Sequence, residues 1–252
     1  MNRTILFYFF RGCLNFMIPQ PPWPTIGKRL ESAVRKALFS FSMLENIPKL
    51  GLALSGGKDS LAMLLLLHAI SGRGAPPFEM KAFHITEERP SQILIEICSA
   101  LNIPLITHTQ PSQYDNCYSC SRKRRKKLFQ LAKEHDCPCI AFGHHRDDNA
   151  QTLLMNLLHK GEFAGLLPKI KLYTYDITII RPLIYVQESD IQKFISHFSL
   201  HCSTCTCPFG ETRLRKRTDS LITTLETLFP NAKSNLANAA LKYGSRKALN
   251  RP

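Results

Sequence analysis

Apolar positions recur along the chain with helical spacing in some segments and as short runs in others, and the two kinds of segment alternate. Ile26, Leu30, Val34, Leu38 and Phe41 share one helical stripe, which predicts an amphipathic helix from about Thr25 to Leu44. Lys49 to Leu54 then reads as a strand, and the unbroken run Leu61 to Leu67 as a buried helix extending toward Ile70. After the loop Ser71-Gly72-Arg73-Gly74-Ala75-Pro76-Pro77, further strands are expected at Phe78–Ile85, Pro104–His108, Cys139–Phe142 and Ile177–Ile180. Between and after them, helices are expected at Gln92–Leu101, Arg122–Glu134, Asp148–His159, Ser189–His197 and Ser220–Phe229. Strands alternating with helices predict an α/β fold: a parallel sheet covered on both faces.

The ends of the chain depart from this pattern. Ile5–Phe10 and Leu14–Ile18 are apolar but short and interrupted, and Gln20-Pro21-Pro22-Trp23-Pro24 breaks any helix there. Residues 1–24 are therefore expected to be a loosely ordered extension, with Met17 as an alternative start; a membrane-surface anchor is the less favoured reading. No stretch approaches the roughly 20 apolar residues that span a bilayer. Residues 25–230 form the expected main domain, and 231–252 a basic tail.

Composition adds a partner. Among 252 residues, 33 Lys and Arg against 19 Asp and Glu give a net charge of +14, which suits a polyanion, most simply a nucleic acid. The cations are clustered: Arg122, Lys123, Arg124, Arg125, Lys126 and Lys127 are consecutive, and Arg213, Arg215, Lys216 and Arg217 form a second group.

The candidate chemistry begins at Ser55-Gly56-Gly57-Lys58-Asp59-Ser60, between the first strand and the apolar helix. Glycines allow positive φ and let a phosphate approach bare backbone, and the N-terminus of the following helix favours an anion. Ser55 and Ser60 offer hydroxyls, Lys58 a point charge, and Asp59 a carboxylate able to hold a magnesium ion that bridges phosphates. The spacing differs from that of the Walker loop, which places four residues between its first glycine and Gly-Lys-Ser/Thr. Further along, His144, Asp147 and Asp148 follow a strand and open a helix; capping and phosphate or magnesium contact are both open readings.

Nine cysteines in a chain of this size that carries a candidate phosphate loop point to the reducing cytosol, where thiols more often bind metal, do redox chemistry or lie buried. Cys117-Tyr118-Ser119-Cys120 directly precedes the basic helix, and Cys202, Cys205 and Cys207 lie far along the chain. Four thiolates would make a closed structural zinc site, three would leave a metal position open, and a catalytic disulfide pair is the third reading. Cys139 is expected in the core, Cys137 as incidental, and Cys98 and Cys13 as structural.

The loop Ser55–Ser60 resembles that of the N-type ATP pyrophosphatases, which split ATP between its α and β phosphates. Cys117-Tyr118-Ser119-Cys120-Ser121-Arg122-Lys123-Arg124-Arg125 and Gly143-His144-His145-Arg146-Asp147-Asp148-Asn149-Ala150-Gln151-Thr152 resemble two signatures of the tRNA 2-thiocytidine synthetases. Gly165-Leu166-Leu167-Pro168-Lys169 and Arg181-Pro182-Leu183 also fit, so the resemblance spans about residues 25 to 230. Two features depart from the family pattern: His84-Ile85-Thr86 stands where the second strand usually ends in an Asn-Asp-like sequence, and the loop leading to Cys117 is shorter.

The resemblance implies a doubly wound parallel sheet of the adenine-nucleotide α-hydrolase-like type. It implies an iron–sulfur (4Fe-4S) cluster on three cysteines: Cys117, Cys120 and, after the Arg-Pro-Leu strand, Cys207, with Cys205 as the alternative. It implies ATP at Ser55, Gly56, Gly57, Lys58, Asp59 and Ser60 together with His144 and Asp148, and magnesium at Asp59. Lys58, Asp59 and the three cysteines would carry catalysis, and Arg122, Arg124, Arg125, Lys126, Arg213 and Arg215 would hold tRNA. The implied reaction adenylates the C2 oxygen of a tRNA pyrimidine, cytidine 32 by resemblance, then replaces it with sulfur. A sulfur donor such as a cysteine desulfurase and a homodimer belong to the same expectation, and the setting is cytoplasmic. Two alternatives come from other classes: a 2-thiouridine or lysidine synthetase, and a non-enzymatic zinc RNA-binding protein.

Overall fold

The computed structural model describes residues 18–87, 90–110, 117–200, 202 and 213–243. Its central strand is β1 (Lys49–Ala53), which pairs in parallel with β2 (Glu79–Thr86) on one side and β4 (Cys139–Ala141) on the other. β3 (Leu105–Thr109) extends the sheet beyond β2, and β6 (Ile177–Ile180) extends it beyond β4, both in parallel. β5 (Lys169–Leu172) pairs antiparallel with β6 at the edge, giving the order β3-β2-β1-β4-β6-β5. The chain winds outward from β1 in one direction, then returns to β4 and winds in the other. The switch between β1 and β4 opens a crevice at their carboxyl ends, where doubly wound sheets bind ligands.

The two-residue period of the strands sends alternate side chains to two cores. Leu50 and Leu52, Met80 and Ala82, Cys139 and Ala141, and Ile180 face one of them. It is covered by α1 (Thr25–Ser40), α2 (Lys58–Ile70), α3 (Gln92–Ala100) and α6 (Glu188–His197). Phe83, Ile85, Ile140, Ile177 and Ile179 face the other, which α4 (Cys117–Glu134) covers with Leu128, Phe129, Leu131 and Ala132. Every residue from Leu61 to Leu67 is at most 1% exposed. Each such buried leucine contributes roughly 1.5–3 kcal/mol, so α2 is fixed by packing on all sides and its N-terminus is held rigidly in the crevice.

α5 (Arg146–Lys160) follows β4, and α7 (Arg213–Leu228) and α8 (Ala232–Tyr243) pack against it around Ala150, Leu154, Ile222 and Ala237. Four elements differ from the sequence expectation. The Cys-Tyr-Ser-Cys segment forms the first turn of α4 rather than a stretch before the helix. The second basic group, Arg213 to Arg217, lies inside α7. β5 was not expected, and the segment read as a basic tail contains α8, docked by Asn149 Nδ2 donating to the Ala237 carbonyl at 3.3 Å. The extension up to residue 17, together with Cys13, Cys205 and Cys207, lies outside the described residues. Among the described residues no helix is long and apolar enough to cross a membrane.

Candidate active site

The loop after β1 is held in shape by its own serines. Ser60 Oγ donates to the Gly57 carbonyl at 2.9 Å, Gly57 N–H donates to Ser55 Oγ at 3.2 Å, and Ser55 N–H donates to Ser60 Oγ at 3.3 Å. Gly56 has φ +82°, a left-handed conformation that glycine adopts without strain. Gly57 is the N-cap of α2, and no side chain caps that helix end. The first turn of α2 therefore presents backbone donors and the positive end of its dipole to the crevice.

Lys58 and Asp59 stand at that helix start. Lys58 Nζ lies 2.8 Å from Glu188 Oε1 and 3.2 Å from Asp59 Oδ2. Burial works against its charge, but the Glu188 and Asp59 carboxylates hold Lys58 above its usual pKa. Asp59 is pushed upward by burial, against the opposing pull of His145 and Lys58. Its Oδ1 atom is buried and makes no hydrogen bond among the described residues, although the Lys58 ammonium lies 3.2 Å away as an ion pair. A buried carboxylate oxygen without a hydrogen bond beside a phosphate loop fits a hard cation such as magnesium. Glu188 was not singled out from the sequence; its place at the start of α6 brings it to Lys58 only through the fold.

The loop after β4 meets the loop after β1. A Cβ on Gly143 would lie 3.1 Å from the backbone of Asp59 and Ser60, so a larger residue there would push the two junctions apart. His145 is the N-cap of α5 and forms a reciprocal capping box: Asp148 N–H donates to His145 Nδ1 at 3.4 Å, and His145 N–H donates to Asp148 Oδ2 at 3.0 Å. His145 Nε2 also lies 3.8 Å from Asp59 Oδ1, so it is the histidine beside the loop carboxylate. Asp147 turns the other way and accepts the Glu188 N–H at 3.0 Å, tying α5 to α6.

His144 stacks on Phe142 at 5.7 Å and faces the β6 side of the crevice. Burial, reinforced by Arg181 and Arg215, pushes His144 down to about 3, so it is neutral at physiological pH. Burial alone would raise Asp148, but His145, Arg215 and the hydrogen bond from the His145 backbone hold it below the usual carboxylate value. Arg215 Nη1 lies 3.8 Å from Asp148 Oδ1, which brings α7 to the crevice. Arg181, at the end of β6, is pushed down to about 10 by burial and by the neighbouring Arg125 of α4, and remains charged.

α4 approaches the same edge. Arg124 Nη2 bonds Glu87 Oε1 at 2.7 Å, and Arg125 Nε donates to the Ser121 carbonyl at 3.4 Å. Arg122 and Lys126 lie on the exposed part of the helix. Cys117 and Cys120 are three positions apart in its first turn, spacing that lets two thiolates reach one cluster. Among the described residues no three His, Cys, Asp or Glu side chains converge as a metal site. Cys98, Cys137 and Cys139 are buried, and burial drives their thiols to about 12, 11 and 12, which makes them inert core residues. Cys202 is half-buried, its thiol raised by burial and by Asp59.

A doubly wound sheet with an open, serine-braced glycine loop at its switch point defines an α/β phosphate-binding protein of the PP-loop class. The sequence matches the PP-loop domain family over residues 27–202. It is 33% identical over 228 residues to the tRNA-cytidine(32) 2-sulfurtransferase of Bartonella tribocorum, covering 85% of this chain and 79% of that protein. The protein of the same name from Paraburkholderia phytofirmans is 34% identical over 226 residues, covering 84% and 67%. Among solved structures, the U34-tRNA thiolase NcsA from Methanococcus maripaludis with its [4Fe-4S] cluster superposes with a TM-score of 0.69. That match has 23% identity and covers 84% of this chain and 76% of the other, a likeness of fold. The chain belongs to the tRNA 2-thiocytidine synthetase family of PP-loop proteins, a family of tRNA sulfurtransferases.

Proposed function

We propose that the chain is an ATP-dependent tRNA sulfurtransferase that converts a pyrimidine, cytidine 32 by analogy with its relatives, to its 2-thio form. The observation that carries this reading is the uncapped N-terminus of α2 in the switch-point crevice, bordered by the basic helices α4 and α7. ATP phosphates would lie on Ser55, Gly56, Gly57 and Ser60, with Lys58 and the backbone donors neutralising charge and His144 and Asp148 closing the far wall. Asp59 would hold magnesium through its Oδ1 atom, which makes no hydrogen bond among the described residues.

Arg122, Arg124, Arg125 and Lys126 on α4, and Arg213 and Arg215 on α7, would grip tRNA phosphates. The target base has to be unstacked to enter, which an anticodon loop permits. Its C2 oxygen attacks the α-phosphorus, the bond to the β-phosphate bridging oxygen breaks, and pyrophosphate leaves. A sulfur nucleophile then adds at C2, the C2–oxygen bond breaks and AMP departs. Cys117 and Cys120 would supply two ligands of a 4Fe-4S cluster, with Cys207 as the third. When bound, a cluster on three thiolates offers one iron open to exogenous sulfur. A cysteine desulfurase as donor, a homodimer and a cytoplasmic setting complete the reading, and residues 25–230 together with α8 form its working unit.

Mass analysis of tRNA nucleosides from cells lacking this protein tests the reading. Loss of 2-thiocytidine, restored by the wild-type gene and not by Cys117→Ala, is expected. Unchanged 2-thiocytidine, or loss of 2-thiouridine instead, would overturn it.

A further inference from the structure

On the β6 side of the crevice Arg181 is flanked by Arg125 and by Asp148, and Asp148 in turn is reached by Arg215 at 3.8 Å. Arg181 ends β6, Arg215 comes from α7, Arg125 comes from α4, and Asp148 stands among them on α5. Two imidazoles, His144 and His145, also border Asp148, so three guanidinium groups face one carboxylate. Arg181 Nη1 is engaged by the Leu167 carbonyl, and the Arg181 backbone N–H donates to the Pro168 carbonyl at 2.9 Å. Its Nε is buried and has no hydrogen-bond partner among the described residues, and the same holds for His144 Nδ1. Buried polar atoms are nearly always paired, and a guanidinium N–H can pair only with an acceptor. The excess of positive charge selects an anionic acceptor.

Resting on the sulfurtransferase reading above, we propose that Arg181 is a catalytic residue that donates to the α-phosphoryl group of ATP and then to the phosphate of the adenylated base and AMP. β6 lies beside β4, and the β4 junction touches the loop after β1 through Gly143. The crevice thus has two ends. Lys58 and the α2 amides face the β- and γ-phosphates at one end, and Arg181 with His144 faces the α-phosphate at the other. As the pyrimidine oxygen bonds to phosphorus and pyrophosphate leaves, charge on the α-phosphoryl oxygens is met by a donor already fixed by its own packing. Arg215 and Arg125 bring the tRNA-binding helices to the same point, so the base is presented where the phosphate is held.

The test uses the full-length protein with Arg181→Lys and Arg181→Gln variants, with Lys58→Ala for comparison. Equilibrium binding of AMP, adenosine and inorganic pyrophosphate is measured without tRNA, and thiolation is measured in single turnover. Both Arg181 variants are expected to bind AMP at least about tenfold more weakly, with adenosine and pyrophosphate unchanged, and to thiolate about 10²–10³-fold more slowly. Lys58→Ala should show the reverse preference, losing pyrophosphate. The Lys variant keeps the charge and guards against a folding defect in the Gln variant; its melting midpoint should match wild type. Equal losses of AMP and adenosine affinity would overturn the assignment. So would unchanged AMP affinity with a shallower salt dependence of tRNA binding, which would place Arg181 on a tRNA phosphate instead. Because AMP binding needs no tRNA, these outcomes stand apart from a failure of the thiolation reading, which would appear as wild-type protein that modifies no tRNA.

Discussion

The two β–α junctions that meet at the switch point occupy equivalent places in the sheet and have opposite hydrogen-bonding states. After β4, His145 and Asp148 cap each other's backbone, and the start of α5 is satisfied from within. After β1, Gly57 stands at the N-cap and no side chain closes α2. An anion arriving at α5 would have to break a completed cap, whereas one arriving at α2 gains donors at no such cost. On the proposed reading, one helix end is left open for phosphate and the other is a rigid wall that holds His144 and Asp148 in place. Two helix starts of similar sequence character, each rich in polar residues, thus have different tasks because one lacks a side-chain cap.

The largest effect should come from the open junction. Lys58→Ala and Asp59→Ala should lower thiolation by at least about 10²-fold while tRNA binding stays near wild type. Gel-shift and nucleoside assays on the same variants check this, and parallel losses would erase the division between the two regions. The contact between the junctions comes next. Gly143→Val should cost about 1–3 kcal/mol by overpacking against the Asp59 and Ser60 backbone, read from the denaturant midpoint. ATP affinity should weaken with it, and a variant of wild-type stability would show that the junctions do not press together. At the closed junction, His145→Ala should cost about 1 kcal/mol through the lost cap, measured in the same way; a null result would remove the capping box as the distinguishing feature.

The smallest effect concerns Asp59 alone. Burial raises its folded-state pKa above the unfolded value, so the native state favours the protonated carboxyl. That contribution is fully present below the unfolded pKa and is lost as pH rises through the raised folded value. Asp59→Asn should therefore melt higher than wild type at pH 7, by at most about 1 kcal/mol of stability, and the gap should close in acid. Thermal melts at pH 7 and at about pH 3, below the unfolded aspartate pKa of about 3.9, decide it. A gap that persists in acid, or a less stable Asn variant at pH 7, would contradict the sign.

The β1–α2 junction was legible in the sequence because its signals are local. An apolar run, two glycines and an unbroken leucine stretch can form little else, and the buried α2 follows directly. Cys139 was likewise readable as core. What escaped had no local period. β5 is four residues in which two lysines alternate with apolar side chains, and only pairing with β6 makes it a strand. α8 buries only Ala237 and Ala240, side chains too small to produce a strong apolar stripe. The starts of α4 and α7 are dominated by cysteine, serine, arginine and lysine with no apolar stripe, so no helical period marks them. Within the site, a pair of adjacent histidines gives no hint of which faces Asp59; the extended backbone of the N-cap turns His145 there and leaves His144 against Phe142. Glu188 and Arg181 reach the crevice from distant segments, and only the sheet order brings them together.

The central claim is that the open α2 terminus serves cleavage of ATP between its α and β phosphates, coupled to tRNA thiolation. The most direct measurement combines anaerobically prepared protein, unmodified tRNA, a sulfur donor and ATP labelled in the α-phosphate, with nucleotides and nucleosides quantified together. The account predicts AMP and pyrophosphate formed in step with 2-thiocytidine and dependent on tRNA. ADP and phosphate as the main products, or ATP cleavage that proceeds equally without tRNA, would contradict it.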